Sequence, residues 1–384
     1  PGSPQVAFAT ETVADELARL HDMDPIDFRL KNAAKEGTRR ADGVVFPKVG
    51  NIEVLEAAKK SDHWNSNLGT PAAGRVRGRG VASGYWFNVG LKSTVNLSVN
   101  SDGSIVLVEG SSDIGGTRTS ISMQAAEILG IGVENFRPSV GDTETAGYAD
   151  VTGGSRTTYA TGFAAVKAAE SLIEVLKDRC AIIWSLDKNE IDFEDGTFFA
   201  SKDPELKFTF KELASNLDNT GGPAASSGSV DLESAGGAFG THIVDVDVDT
   251  ETGKTDIARY TVLQDVGTAI YPAYVRGQMA GGAVQGIGWA LNEEYYMKDD
   301  GTQANVSYLD YRMPTALDLP NIETIIVEVP NPGHPFGVRG VGEVPICPPI
   351  GAIGNALHDA LGKRFYDSPM KPGRILNVLG KISD

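Results

Sequence analysis

The chain has 384 residues, of which 41% are hydrophobic and 22% are charged, and its formal net charge is −17 at pH 7. This length allows two packed domains rather than one. The acidic balance excludes nucleic acid as an expected partner, because phosphates attract Lys and Arg, and it disfavours an anionic membrane surface. Since cysteines are scarce and no run of about 18 apolar residues could span a bilayer, we expect a cytoplasmic protein without a membrane span.

The two cysteines, Cys180 and Cys347, are far apart in the sequence. An iron–sulfur cluster held by this chain alone is therefore excluded, because such clusters need four cysteines. The five histidines show none of the spacings that structural zinc sites use. Residues 1–5 lead straight into a predicted helix without an initiator Met, so we expect a processed chain or a separately encoded piece of a larger assembly.

Hydrophobic periodicity predicts helices and strands in a mixed order along the chain. Helices are predicted at residues 4–20, 26–32, 52–60, 120–129, 159–176, 210–217, 275–291 and 350–361. Strands are predicted at residues 81–87, 93–99, 105–109, 191–193, 197–200, 240–250 and 256–263. We therefore expect an α+β protein made of two α/β subdomains, each with a mixed sheet and packed helices.

The composition also predicts where these subdomains begin and end. The expected parts are a helical lead-in at 1–75, a first subdomain at 76–218, a linker at 219–234 and a second subdomain at 235–384. The linker is predicted because this stretch is rich in Gly, Ser and Ala, a composition typical of flexible connections. Residues 37–75 are polar and weakly patterned, and are expected to run over the surface.

Two glycine-rich turns, each between a strand and a helix, are candidate anion sites. Their residues are Gly115, Gly116 and Thr117 in the first turn, and Gly153, Gly154, Ser155, Arg156 and Thr157 in the second. A helix N-terminus offers unpaired backbone N–H groups and a positive dipole end to an anion, and Arg156 could add a bidentate charge. The alternative is an ordinary strand–helix turn with a Ser or Thr cap.

The predicted helix 275–291 is unusually rich in glycine, at a cost of about 1 kcal/mol for each glycine relative to alanine. A close neighbour must offset this cost, and it is either a tightly packed helix or a bulky cofactor. Gln278 and Gln285 lie on the same helix. Upstream, Tyr85, Trp86 and Phe87 form the densest aromatic cluster of the chain, which either packs in the core or faces a planar substrate.

A glycine-punctuated loop at 336–345 delivers one carboxylate, Glu343, to a fixed place. Its glycines allow tight turns and close approach, and Val341 and Val344 would partly shield the carboxylate from water. Such shielding suits a general base. The alternative is a glutamate that only accepts backbone hydrogen bonds within its loop.

The order of three motifs resembles the xanthine oxidase family of molybdenum hydroxylases. These are Gly-Ala-Phe-Gly at 237–240, Gln-x-x-Gly-Gly at 278–282 and Gly-Val-Gly-Glu at 340–343, and the match corresponds to the C-terminal half of that family's large subunit. The resemblance implies that Glu343 is the general base beside the metal and that Gln278, with Gln285 and Gly342, contacts the pterin.

The same resemblance assigns the first glycine-rich turn to the pterin and molybdenum ligands, and the end of the aromatic strand, Tyr85 to Phe87, to the substrate channel. The second turn is predicted as a cofactor contact from its own residues, because two anion-type turns with the same strand-then-helix context are unexpected by chance. The sequence departs from the family at residues 115–117, where a glutamine is usual, so a side-chain hydrogen bond to the metal centre is replaced or lost. No side chain of this chain is expected to bind the metal directly.

The activity that the resemblance implies is hydroxylation of an N-heterocycle or aldehyde carbon with oxygen from water. The implied cofactor is molybdopterin, plain or as the cytosine dinucleotide. Implied partners are the segment or chain with the other half of the cofactor cage, a [2Fe–2S] subunit, and an FAD subunit. One alternative is a non-catalytic structural half of such a subunit. A second is a carbon monoxide dehydrogenase-type large subunit, whose copper-bound cysteine would precede Pro1. A third, a nucleotide-binding enzyme, is weakly supported, because the sequence has no P-loop lysine.

Overall fold

A computed structural model describes residues 2–234 and 236–382, so Pro1, Ala235, Ser383 and Asp384, which belong to predicted segments, lie outside the described residues. The helices in this part of the chain are α1 (Ser3–Leu20), α2 (Pro25–Lys31), α3 (Asn51–Lys60), α4 (Asp62–Asn65), α5 (Thr117–Leu129), α6 (Thr157–Trp184), α7 (Phe210–Ser215), α8 (Pro272–Leu291), α9 (Pro349–Leu361) and α10 (Pro372–Val378). The strands are β1 (Arg75–Trp86), β2 (Val89–Val99), β3 (Ile105–Glu109), β4 (Phe136–Val140), β5 (Ile191–Glu194), β6 (Thr197–Ala200), β7 (Asp203–Thr209), β8 (Ala225–Ser234), β9 (Ala238–Asp249), β10 (Thr255–Asp265) and β11 (Ile322–Val327).

The chain divides into two compact units, and neither is continuous in sequence. Unit 1 is built from residues up to Phe87, from Gly237–Asn331 and from Val341 onward. Unit 2 is built from Asn88–Gly236 and Pro332–Gly340.

Unit 1 is a four-stranded mixed sheet with helices on both faces. The strand order is β1-β9-β10-β11, in which only the β10–β11 pair is parallel. Val244 and Val246 of β9 are buried with residues of α8 and α9, whereas Ile243 is buried with residues of α2 and α3. In the second half of β9 the valines alternate with Asp245 and Asp247, whose carboxylates accept hydrogen bonds from Arg79 and Arg77 of β1. Helix α9 lies close to β1, since a Cβ added to Gly80 would meet the Ala352 carbonyl oxygen at 2.2 Å.

Unit 2 contains a second four-stranded mixed sheet, of order β4-β3-β2-β8, and a three-stranded antiparallel sheet, β5-β6-β7. Its core consists of β2 and β3 residues packed against α5 and α6. The alanines of α6 allow a close approach to β8, where a Cβ on Gly228 would meet the Ala164 carbonyl oxygen at 2.3 Å. This tight packing explains why α6 is rich in small residues.

The α+β class and the two mixed sheets agree with the sequence expectation, but the domain boundaries differ. Strand β1 pairs with β9 along its whole length and therefore belongs to unit 1. The predicted linker at 219–234 includes β8, which pairs with β2. Both differences arise from strand pairings between residues that are more than a hundred positions apart, which local composition does not encode.

Candidate functional site

The Glu343 loop is held in unit 1 by contacts on both sides of the carboxylate. Gln264, at the end of β10, donates from Nε2 to the Val341 carbonyl oxygen at 2.9 Å. A Cβ on Gly240 would meet Val344 Cγ1 at 3.2 Å, so the loop packs closely against β9. A 3-10 turn, Val344–Ile346, follows Glu343 directly. The Glu343 side chain is itself half-buried, as a shielded base would be.

Helix α8 packs against this loop on one side and is open on another. A Cβ on Gly282 would meet Pro345 Cγ at 2.5 Å and the Gly342 carbonyl oxygen at 3.2 Å. In contrast, a Cβ on Gly281 would meet nothing within 4 Å. Gly281 and Gln285 are exposed on the open side, and Gln278 is half-buried. The glycines of α8 therefore serve two purposes: packing at Gly282 and an open helix face at Gly281.

The three aromatic residues at the end of β1 have different environments. Tyr85 lines a cavity of about 660 Å³ in unit 1, and its ring contacts Phe46 and Phe239 at centroid distances of 5.3 and 4.8 Å. Trp86 is buried in a small core cluster that also contains Val344 and Cys347. Phe87 is 44% exposed. Tyr85 is thus the only member of the trio that lines this cavity, whose other lining residues come mainly from α1, α2 and α3 and do not include Glu343.

Cys347 connects the cavity side of β1 with the Glu343 loop. Its Sγ donates to the Tyr85 carbonyl oxygen at 3.8 Å and to the Glu343 carbonyl oxygen at 3.7 Å. Burial raises the pKa of the Cys347 thiol to about 12, so it stays protonated and packs as a small apolar group.

In unit 2 the two predicted glycine-rich turns are neighbours. The Ser112 N–H donates to Thr152 Oγ1 at 3.0 Å, which ties the first turn to the second. Gly116 has a φ of 75° and precedes α5 without a side-chain cap. The buried Thr117 Oγ1 has no hydrogen-bond partner within the described part of the chain. An uncapped helix start beside an unsatisfied hydroxyl suits a ligand that accepts hydrogen bonds.

Arg156 requires a correction, because its side chain is fully buried rather than directed at a ligand. The guanidinium donates to the Gly90 carbonyl oxygen at 2.6 Å, to the Asp150 carbonyl oxygen at 3.2 Å and to Ser93 Oγ at 2.8 Å. Burial lowers its pKa. Arg156 therefore holds the second turn against β2, and four of its five N–H donors are bound to acceptors of the chain itself. The neighbouring Gly153, Gly154, Ser155 and Thr157 stay as proposed cofactor contacts.

A buried chain of hydroxyls continues from Arg156 to the first turn. Ser93 Oγ lies 2.9 Å from Thr161 Oγ1, which lies 3.0 Å from Ser111 Oγ. The Ser111 N–H in turn donates to the Glu109 carboxylate. Burial raises the pKa of Glu109. Buried hydrogen bonds therefore connect the residues next to the two glycine-rich turns inside unit 2.

Sequence reasoning missed several residues that position these features. Gln264 was not singled out, because it lies at the end of a predicted strand without a motif of its own, and Phe46 lies in a stretch expected to be a surface connection. Arg40, from the same stretch, lies over the Tyr85 ring at 5.7 Å. The available signal for Phe46 was an aromatic residue within a polar segment, since aromatic residues are commonly buried.

Among residues 2–234 and 236–382, no group of three or more His, Cys, Asp or Glu side chains could hold a metal ion. No helix in this range is long and apolar enough to cross a membrane.

Residues 53–320 match the family model described as the molybdopterin cofactor-binding domain. The chain belongs to this family. It is 32% identical over 97% of its length to the putative xanthine dehydrogenase molybdenum-binding subunit XdhA of Escherichia coli strain K12, covering 52% of that protein. It is 30% identical over 98% of its length to the gamma subunit of the 6-hydroxypseudooxynicotine dehydrogenase complex of Paenarthrobacter nicotinovorans, covering 50% of it.

Solved structures of the family share the fold. The quinoline 2-oxidoreductase of Pseudomonas putida 86 superposes with a TM-score of 0.84 at 23% identity, with 98% of this chain and 52% of that chain covered. An aldehyde oxidoreductase of Desulfovibrio desulfuricans gives a TM-score of 0.76 at 27% identity, with coverages of 98% and 40%. The predicted family and α+β fold are confirmed. The chain spans about half the length of the curated relatives that it matches.

Proposed function

We propose that the chain is the C-terminal half of a molybdenum hydroxylase's catalytic subunit, which oxidises a carbon of an N-heterocycle or aldehyde. The observation that carries the proposal is the half-buried Glu343, fixed by Gln264 on one side and by the turn Val344–Ile346 on the other. When bound, the molybdenum centre supplies an oxygen derived from water and accepts the electrons. The Glu343 carboxylate would act as the general base and accept the proton that this hydroxylation releases.

The other residues of the chain bind and orient. Gln278, Gln285 and Gly342 of unit 1 contact the molybdopterin, as do Gly115, Gly116 and Thr117 of unit 2. The open face of α8 and the unsatisfied Thr117 hydroxyl support this assignment. Tyr85, which lines the cavity of unit 1, orients a planar substrate, and Phe87 borders the substrate channel. Trp86 supports the channel from the core.

The proposal extends to partners that the chain requires. With two cysteines in all, the chain needs [2Fe–2S] clusters on a partner to carry electrons away, and an FAD subunit to pass them on. The other half of the cofactor cage comes from a further segment or chain, and a cytoplasmic location suits such an assembly.

A second candidate is a carbon monoxide dehydrogenase-type subunit. The large chain of that enzyme from Afipia carboxidovorans is 29% identical over 71% of this chain and is covered to 34% of its own length. Assaying the holo complex with carbon monoxide, aldehydes and N-heterocycles decides between the two candidates, since the carbon monoxide dehydrogenase type predicts turnover of carbon monoxide and the hydroxylase predicts turnover of an aldehyde or an N-heterocycle.

The central test is Glu343→Gln in the holo complex. The amide keeps the size of the side chain but cannot accept the proton, so turnover is expected to fall by about 10²–10⁴-fold. Molybdenum content and melting temperature are expected to stay close to those of the parent. Glu328→Gln, at an exposed glutamate whose Oε1 accepts from the Ala269 N–H at 2.8 Å, is the matched control. Near-parental turnover in a fully loaded Glu343→Gln complex would remove Glu343 from the mechanism and favour the non-catalytic half.

A further inference from the structure

Exposed apolar side chains are concentrated on one segment of unit 1, between α8 and β11. In the described ranges 2–234 and 236–382, the four most exposed large hydrophobic residues are Leu317, Leu309, Tyr308 and Val306, at 98, 90, 88 and 75%. With the largely exposed Tyr295 and Met297, they form what we call the 295–317 surface. Single exposed apolar residues are ordinary, whereas such a concentration in one short segment indicates a binding surface.

The segment that carries these residues is fastened to unit 1 from within. The buried Asn305 donates from Nδ2 to the Glu294 carbonyl oxygen at 2.7 Å, and its Oδ1 accepts from the Tyr296 N–H at 3.0 Å. Further along, Pro314 packs on α8, where a Cβ on Gly288 would meet its Cδ at 2.7 Å. The apolar side chains are therefore presented by an ordered backbone, so that binding a partner costs little conformational entropy.

The residue types of the segment indicate a protein as the occupant of this surface. Two tyrosines and one methionine belong to the surface, and Tyr296 and Met313 of the same segment are also exposed. Tyr and Met are enriched in protein–protein interfaces, where Lys and Glu are depleted, and tyrosine is a frequent hot-spot residue. Residues 295–317 include one lysine and no glutamate.

The charged residues of the segment define what the partner must offer. Over residues 295–318 the formal charge is −2, from Asp299, Asp300, Asp310 and Asp318 against Lys298 and Arg312. All six of these side chains are exposed. A second copy of the chain would bring the same negative rim and its own net charge of −17, and an anionic membrane would also be repelled. The charges therefore favour a partner whose apolar centre is bordered by Lys or Arg.

We infer that the 295–317 surface binds the other half of the large subunit, through an apolar face bordered by Lys or Arg. The inference rests on the proposed function, which requires that half for the cofactor cage. Because the chain spans about half the length of the two relatives described above, each of them has a similar length of polypeptide beyond the match. Halves of one subunit are joined permanently, and permanent interfaces are more hydrophobic than transient ones.

Photo-crosslinking in the assembled complex tests the identity of the occupant. A p-benzoylphenylalanine in place of Leu309 or Leu317 reacts with the polypeptide that lies against it, and mass spectrometry identifies that polypeptide. We expect cross-links to the other half of the large subunit, whether it is a separate chain or part of the same polypeptide. Cross-links to a second copy, to the [2Fe–2S] subunit or to the FAD subunit, or the absence of any cross-link, overturn the inference.

A substitution within the surface tests its contribution to assembly. Leu309→Asp changes an exposed side chain, so the melting temperature of the apo chain is expected to stay parental. Its affinity for the remainder of the complex is expected to fall about tenfold or more, because an unpaired carboxylate would be buried in the interface. Titration of the purified chain into the remainder of the complex measures this affinity.

The matched control is Tyr366→Asp, at another exposed apolar side chain of unit 1, which is expected to leave the affinity unchanged. Parental affinity in Leu309→Asp, or an equal loss in both variants, contradicts the inference.

These measurements use neither turnover nor molybdenum content, so the inference and the proposed function fail separately. Cross-links to the other half together with parental turnover in Glu343→Gln would support the surface assignment and contradict the catalytic role. Cross-links elsewhere together with lost turnover in Glu343→Gln would overturn the surface assignment and leave the catalytic role in place.

Discussion

At the scale of single residues, Arg156 distinguishes a structural cation from a ligand-binding one. Arg156→Lys keeps the positive charge but cannot reach the Gly90 and Asp150 carbonyl oxygens and Ser93 Oγ together. We expect the variant to lose about 2–4 kcal/mol of unfolding free energy, because several buried acceptors lose their donor. Urea unfolding of the cofactor-free chain measures this loss.

Arg137→Lys is a suitable comparison, since Arg137 donates to the backbone carbonyl oxygen of Glu134 in a more exposed setting and should change stability by under about 1 kcal/mol. A normal unfolding midpoint in Arg156→Lys, together with weaker cofactor binding, would restore the role that the sequence suggested.

How far residues can be predicted from sequence depends on whether their partners are local. Glu343 could be singled out because the glycines around it are adjacent in the chain. Arg156 was placed in the correct turn, but its acceptors on β2 lie more than sixty positions away, so the direction of its side chain could not be inferred. Asn88 carried no signal, although its buried amide donates to the carbonyl oxygens of Gly236 and Gly340, because these acceptors lie 148 and 252 residues away.

At the scale of elements, α8 offers a matched pair of glycines. Gly281→Val enters open space, and we expect the apo chain to keep its stability within about 1 kcal/mol, because helix propensity changes little. Gly282→Val must displace Pro345 and the Gly342 carbonyl oxygen, and should cost about 1–3 kcal/mol through overpacking. Thermal unfolding of the two apo variants compares them directly.

Cofactor content completes the comparison of the two glycines. If the open face of α8 receives the pterin, Gly281→Val lowers molybdenum occupancy of the assembled complex even though its apo stability is normal. Full occupancy in Gly281→Val would show that this face is not covered by the cofactor.

The elements themselves could largely be read from the sequence, whereas their pairings could not. The predicted and observed starts of α1 differ by one residue, although the apolar residues Val6, Val13, Leu17 and Leu20 of this helix are exposed rather than packed in the core. Strand β8 was mistaken for a linker because its Ser- and Gly-rich sequence has low strand propensity; its place is fixed by β2 and by close packing on α6. Tertiary contacts outweigh propensity in such cases.

At the scale of the whole molecule, buried histidines make stability depend on pH. Burial lowers the pKa of His242 to about 3 and that of His334 to about 4, and it also lowers the pKa values of His63 and His358. The folded chain therefore binds fewer protons than the unfolded chain below pH ~6.5. Stability is expected to fall as the pH decreases from ~6.5 toward 4, by up to about 1.4 kcal/mol per pH unit for each histidine.

Urea unfolding between pH 7.5 and 4.5 tests this dependence. His242→Gln can still pair with the Tyr260 hydroxyl, which lies 2.9 Å from His242 Nδ1, and it should flatten the slope. His21→Gln, at an exposed histidine, should leave the slope as it is. A flat profile in the parent chain would contradict the burial argument.

The division of the chain between its two units has a consequence for synthesis on the ribosome. Unit 2 ends with Gly340 and unit 1 resumes at Val341, so neither unit can be completed until almost the whole chain has left the exit tunnel. The β1–β9 pair must likewise wait for about 150 residues of intervening chain. Nascent strands with unpaired edges are exposed meanwhile and are prone to aggregate, so the yield of folded protein should respond to translation speed and to chaperones more than to the stability of either unit.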